Sequence, residues 1–237
     1  MRPARANLCA LPLLCLCLAG CSGLFESKAK PEQIYYLRAP APRTAGTNSP
    51  AGASAAAAAT PAMPASLRVI RPAASPGLDT SHIMLAQADR RMNFFSGSRW
   101  PAPAPEVIEA LAVQTLRASG AWSSVEGSGG PFPGEYLLQM HVRRFEADYG
   151  EGGGAPVVHV VFDCIVGRRE GREVLATFTV SGSVAAAANR LGEVVLAFEQ
   201  ATGTALEALS QQTEQAVRAD VQRPAQNADK PLASISR

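Results

Sequence analysis

Net charge, histidine, aromatic residues and long apolar runs are all scarce in this chain, and each shortage removes a class of function. Lysine and arginine total 22 against 20 aspartates and glutamates, leaving +2 over 237 residues. Without Arg2 and Arg5 the balance falls to about zero. A neutral chain offers no electrostatic grip on nucleic acid and no polybasic patch for anionic lipid. Only three histidines occur, His82, His141 and His159, and none has the spacing of metal ligands. No Gly-x-Ser-x-Gly elbow or His-Glu-x-x-His string is present, and the glycines at 150–154 lack the Gly-Lys-Ser/Thr of a phosphate loop. The expectation is a chain with no catalytic residues, no metal and no cofactor. Disulfides are also excluded. Of five cysteines, Cys9, Cys15, Cys17 and Cys21 crowd the N-terminus, which leaves Cys164 alone. An isolated cysteine within an apolar strand reads as a small core residue.

What is present begins with an export pattern. Arg2 and Arg5 precede an apolar run from Leu8 to Leu18, interrupted only by Pro12. That is far short of the roughly 18 apolar residues a membrane-spanning helix needs, so residues 1–20 read as a signal peptide. The run ends in Leu18-Ala19-Gly20-Cys21, the order of residues in a bacterial lipobox. Small residues at 19 and 20 admit the backbone to a peptidase that cuts between Gly20 and Cys21. Only a thiol can carry the diacylglyceryl thioether, so Cys21 is the expected lipidation site. Several acyl chains on one cysteine anchor far more firmly than one. Ser22 stands where an inner-membrane retention signal would show aspartate, which favours the outer membrane and a periplasm-facing domain.

Residues 21–33 read as a lipid-anchored tether that spans about 40 Å at full extension. Ile34-Tyr35-Tyr36-Leu37 suggests a short first strand over 34–38, followed by an Ala/Pro-rich disordered insert over 39–65. So long a loop counts against that strand, and a single tether over 22–65 is the alternative. The folded part is expected over 66–213. Leu67–Ile70, Ile83–Leu85 and Met92–Phe95 read as strands, and Glu106–Ala118 as an amphipathic helix after Pro101, Pro103 and Pro105. Tyr136, Leu138, Met140 and Val142 alternate with polar residues, and then the phase slips to Phe145, Ala147 and Tyr149. The slip predicts a bulge near Arg143-Arg144. Val158–Val166 and Val174–Val180 complete an antiparallel meander, with Val174, Ala176, Phe178 and Val180 assigned to its inner face. A last helix is expected from Asn189 to Thr213, and a loose tail over 214–237. The class is α+β: a mixed, largely antiparallel sheet with two main helices packed on it.

Several strings, in this order, resemble the ABC-type transport auxiliary lipoproteins. They are the PqiC-type proteins that accompany mammalian-cell-entry (MCE) lipid transport systems. The strings are Tyr35-Tyr36-Leu37, Pro76-Gly77-Leu78-Asp79-Thr80, Phe94-Phe95-Ser96-Gly97-Ser98-Arg99-Trp100, Arg144-Phe145-Glu146-Ala147-Asp148-Tyr149 and Phe198-Glu199-Gln200-Ala201. The resemblance implies a fold similar to the N-terminal domain of TolB. It also implies a role as the envelope lipoprotein of a phospholipid transporter, with an MCE-domain protein, an ABC permease and an ATPase as partners. The insert at 39–65 departs from the family pattern.

Phe94, Phe95, Arg99 and Trp100 are the candidate partner or lipid contacts. Three aromatics within seven residues either form a docking lip or fill the space between the sheet and the first helix. Self-association is expected, if anywhere, at the free edge of the 135–184 sheet. A second function class stays open, a structural lipoprotein that scaffolds the envelope without handling lipid.

Overall fold

The computed structural model describes residues 32–40 and 62–228. In chain order its strands are β1 (Gln33–Ile34), β2 (Met63–Val69), β3 (Ala73–Ala74), β4 (His82–Ala86) and β5 (Met92–Arg99), followed by helix α1 (Ala104–Ala118). Then come β6 (Trp122–Glu126), β7 (Tyr136–Asp148), β8 (Val157–Arg168), β9 (Val174–Ala185) and helix α2 (Leu191–Ala228). All nine strands belong to one open, mixed sheet, which makes the class α+β.

The sheet is organised by β7. Along one edge it carries β8 in an antiparallel ladder, and β8 in turn carries β9. The other edge is shared by three short parallel strands laid end to end. Leu67–Val69 of β2 pair with Tyr136–Leu138, β3 pairs with His141–Val142, and Leu85–Ala86 of β4 pair with Ala147–Asp148. Prolines explain the interruptions. Pro72 and Pro76 follow β2 and β3, and a residue without an amide donor cannot continue a ladder. Gly77, at φ 87°, then turns the chain toward β4. Outside these, β2 holds β6, β4 holds β5 in antiparallel register, and β5 holds β1.

The phase slip in the β7 sequence is a bulge, with the register shifting between Val142 and Arg144. Before it the buried side chains are Tyr136, Leu138, Met140 and Val142, and after it Phe145 and Ala147, so one face stays apolar throughout. β8 continues that face with Val158, Val160, Phe162, Cys164 and Val166, all fully buried. Helices α1 and α2 cover it. α1 begins with proline in its first turn and buries Val107, Ile108, Leu111, Ala112 and Leu116. α2 packs on β9, β8 and β7 through Val194, Phe198, Ala201, Ala205, Leu206 and Leu209. The opposite face has no helix on it among the described residues.

Several boundaries differ from expectation for identifiable reasons. The first strand is shorter than 34–38: β1 ends at Ile34, and only the Tyr35 amide, donating to Arg99 O at 2.9 Å, prolongs it. Leu37 then turns into the core, and Arg38 is drawn to α2. The folded region starts at Met63 rather than 66, because Met63 and Ala65 are both buried. Residues 41–61 of the insert, the signal and tether up to residue 31, Gly20 and Cys21 lie outside the described residues. β3 and β6 carry too little periodicity to be read from sequence. Asn189, expected to cap α2, instead accepts a hydrogen bond from the Tyr149 hydroxyl at 2.8 Å. The tail is not loose from 214. α2 runs on to Ala228, held by Thr213, Val217 and Asp220, which continue its buried stripe. Val174 is not an inner residue of β9 but 61% exposed, since it lies at the far end of an edge strand.

α2 approaches β9 so closely that a Cβ on Gly182 would lie 2.0 Å from the Ala201 carbonyl oxygen. Gly182→Ala is therefore expected to cost about 2–3 kcal/mol, the scale of core overpacking. Gly152→Ala, where nothing lies within 4 Å, should stay within about 0.5 kcal/mol. Urea unfolding of the two variants side by side tests the contrast, and equal midpoints would remove the helix–strand contact as a constraint.

Candidate functional site

The family-like strings converge in space. Trp100, at the end of β5, is fully buried, with its ring 5.3 Å from Phe198 of α2 in an edge-on arrangement and 5.9 Å from Phe145 of β7. Phe145 and Phe198 close the triangle at 5.0 Å. Such pairs add about 0.5–1.5 kcal/mol each beyond their burial. One helical residue on, Glu199 binds Arg38. The guanidinium donates to Oε1 at 2.8 and 3.1 Å, and the Arg38 amide donates to Oε2 at 3.0 Å. The Arg38 hydrogen bonds hold the Glu199 carboxyl below its ordinary range, against the opposing effect of burial. Three strings thus meet, from residues 94–100, 144–149 and 198–201, and Arg38, directly after Tyr35-Tyr36-Leu37, is fastened beside them.

This placement corrects one candidate. Trp100 cannot contact a partner or lipid, because none of its surface is exposed. Phe95 is half-buried against the core, 6.4 Å from the Tyr149 ring. Phe94 takes the other side. It lies 45% exposed on the face without helices, its ring 4.3 Å from His82. Arg99 is half-buried, opposite His82 in the β4–β5 pairing. The four candidates are adjacent in sequence but divide between core and surface.

Sequence reasoning did not find the cleft beside Phe94. The Ser75–Leu78 loop and the β4–β5 turn stand over β7 and enclose about 420 Å³, with Met92, Arg90, Arg144, Glu146 and Asp148 among the lining residues. Arg90 adopts φ 66° in that turn, an uncommon conformation for a side-chain-bearing residue. The floor is an ion-pair network in which one arginine is shared by two carboxylates. Arg144 pairs with Glu146 and, at 3.2 Å, with Asp148. Their remaining oxygens accept from the Phe145 and Gly150 amides at 2.7 and 2.9 Å. On β8, His159 lies opposite Glu146 and 3.2 Å from the Ser183 hydroxyl. Burial first, then the Arg144 charge, depresses its imidazole pKa. The serine and histidine do not complete a nucleophilic triad, because Glu146 and Asp148 turn to Arg144 rather than orienting the imidazole. Among the described residues no cluster of histidine, cysteine and carboxylates could hold a metal.

Cys164 lies fully buried, and burial pushes its thiol up to about 12. A thiol in that state is inert. It should resist an aromatic disulfide reagent at neutral pH and react fully only in denaturant. Labelling of the native protein at the rate of free cysteine would contradict its placement.

A second polar cluster fastens the end of α2. Asp220, 1% exposed, accepts from the Tyr136 hydroxyl at 3.0 Å and pairs with Arg168, while Arg223 sits 3.6 Å away. Burial opposes its ionisation, but the Arg168 and Tyr136 hydrogen bonds and the two arginine charges outweigh that and hold the carboxyl below its ordinary 3.8. Tyr136 is pushed up to about 12 by burial and by Asp220. The two signs are opposite. A depressed carboxylate contributes stability above pH 3.8 that is lost as pH falls through the folded value. The raised tyrosine contributes stability below pH 10 that is lost as pH rises toward about 12. Asp220→Asn should flatten the acid limb of a stability-versus-pH curve. Tyr136→Phe should flatten the alkaline limb, apart from the slope Cys164 contributes there. Unchanged limbs in both variants would show that the cluster does not hold α2.

The domain is thus an open α+β sheet with one helix-covered face, one face without a helix among the described residues, and a polar cleft. The chain belongs to the family of ABC-type transport auxiliary lipoprotein components, whose model matches residues 47–212. As a member of a lipoprotein family it is a membrane-anchored envelope protein associated with a transport system. No helix among the described residues is long and apolar enough to cross a membrane. A crystal structure of a Xanthomonas campestris protein of the family DUF330 is similar in fold, with a TM-score of 0.67 and 23% identity, over 82% of this chain and 99% of that one. A second crystal structure, of an uncharacterized protein, matches with a TM-score of 0.53 and 14% identity, over 81% of this chain and 99% of the other. No curated protein matches the chain.

Proposed function

We propose that this chain is the outer-membrane lipoprotein of an MCE-type phospholipid transport system, anchored through acylated Cys21 and facing the periplasm. It works by binding and docking and performs no chemistry. The observation that carries the docking role is the free edge of the sheet. Among the described residues β9 pairs only with β8, and its twelve residues, Val174–Ala185, contain no charge and no proline. Proteins ordinarily blunt such edges with lysine, proline or short strands, because unpaired amides and carbonyls invite another strand. An edge left this open supports strand addition by a partner, either the MCE-domain protein or a second copy of this chain. The permease and ATPase belong to the same assembly at the opposite membrane. The lining balances three arginines, Arg90, Arg143 and Arg144, against Glu146, Asp148 and Glu151, and with the apolar Met92 side chain it suits a zwitterionic or apolar ligand better than a multiply charged one.

The test is recovery of the lipidated protein from solubilised membranes, followed by identification of bound proteins and extraction of bound phospholipid. The reading expects the MCE protein in the eluate. Thr177→Lys with Ser181→Lys, both on exposed positions of β9, should reduce its recovery at least severalfold without loss of folding. Retention of neither MCE protein nor phospholipid by the wild type would favour the structural scaffold instead. Cys21→Ser should abolish acyl mass and release the protein from the membrane fraction. Full membrane retention of that variant would end the anchoring proposal.

A further inference from the structure

The bare face has an apolar corner that the β9 edge does not use and that meets the cleft at Met92 and Ala86. Residues directly opposite one another in adjacent strands project to the same side. Arg99 is paired with His82 on one side and with Ile34 on the other, Met84 with Phe94, and Ala86 with Met92. The Phe94 ring, stacked on His82, ties both ends of this corner together. Beyond Ile34 the chain keeps its alternation: Tyr35 packs on the core, Tyr36 faces out and Leu37 is buried. Ile34, Tyr36, Met92 and Phe94 therefore lie on one side of the β4–β5–β1 corner, in a stripe with the paired His82 and Arg99 at its middle. They are 56, 70, 47 and 45% exposed, well above the level at which a large apolar side chain counts as covered. Scattered apolar side chains need no explanation, but a contiguous group does.

We propose that this corner is a membrane seat, resting against the bilayer that holds the N-terminus, with Ile34, Tyr36, Met92 and Phe94 in the headgroup region. The proposal rests on acylation of Cys21. Three observations select a lipid surface as occupant. β1 is where the chain enters the domain, twelve residues after Cys21, so it is the strand closest along the chain to the anchor. The residue types are those of an interface. Tyrosine, phenylalanine, methionine and isoleucine supply apolar bodies, while the tyrosine hydroxyl, His82 and Arg99 supply polar rims. Finally, the corner is ill suited to a second copy, since β1 has only two residues and offers almost no ladder to extend, whereas β9 offers twelve. With the mature chain near neutrality, the contact is apolar rather than electrostatic and persists in salt.

The experiment uses the full mature lipidated protein in phosphatidylethanolamine/phosphatidylglycerol vesicles at low surface density. Single cysteines are introduced as Tyr36→Cys, Phe94→Cys and, as a control on β9, Ser181→Cys, and each carries an environment-sensitive fluorophore. Acylation of Cys21 and the burial of Cys164 leave no competing thiol. The expected result is blue-shifted emission at positions 36 and 94 that lipid-borne nitroxides quench, unchanged by high salt, with neither effect at 181. Emission at 36 and 94 matching that at 181, in protein that floats with the vesicles and carries acyl mass, would overturn the seat while leaving the anchor intact. A blue shift that lipid nitroxides fail to quench would also overturn it, by placing protein rather than lipid on the patch. Failure to float, with no acyl mass on the N-terminus, would remove the anchor and the seat together.

Discussion

Everything in this domain depends on three rings meeting in its interior. Trp100, Phe145 and Phe198 come from β5, β7 and α2, elements widely separated in the chain, and their contact fixes which face of the sheet receives the helix. Because the three sit within one cluster, their contributions are coupled and cannot be assigned singly. Once the triangle forms, the next residue of α2 is placed to bind Arg38, and the N-terminal strand is drawn to the sheet from outside. The fold thus links its interior to the N-terminal segment at residues 33–38.

The two faces of the sheet divide the labour. The helix-covered face is dense and apolar, down to the glycine that lets α2 settle on β9. The other face keeps its charges in closed circuits, Arg144 with Glu146 and Asp148, and Arg143 with Asp163. Networks of that kind contribute little to stability when exposed. They also leave the face without a strong net field, which suits a surface meant for neutral or apolar partners. The family membership gives that arrangement its context, an auxiliary component of ABC-type transport.

Much of this was legible in residue patterns, and the exceptions share a cause. The β7 alternation, its phase slip and the following strand were readable because every inward residue is large and apolar. α1 was readable from its prolines and its apolar stripe. β3 and β6 were not, because two alanines and a Trp-Ser-Ser-Val-Glu segment carry no periodic signal; they are strands because β7 and β2 offer them ladders. The end of α2 was misjudged for a related reason. Past Thr213 the inward positions include Asp220, and a carboxylate reads as solvent-facing until Tyr136 and Arg168 are seen to satisfy it. For the aromatic string at 94–100, composition could not tell that a bulge near Gly97, at φ 68°, sends Trp100 inward while Phe94 stays outside. The cleft was invisible because its walls come from loops distant in sequence.

The end-to-end seating of β2, β3 and β4 along a single edge of β7 makes that strand a ruler. Each short segment reads its own stretch of the ladder, so its alignment is set locally rather than inherited from its neighbour. A slip in one would not be passed to the next. The linkers between them are free to lengthen, shorten or change composition without disturbing the meander on the other side. Such modular seating gives a lineage room to remodel the bare face piece by piece while the buried framework stays the same.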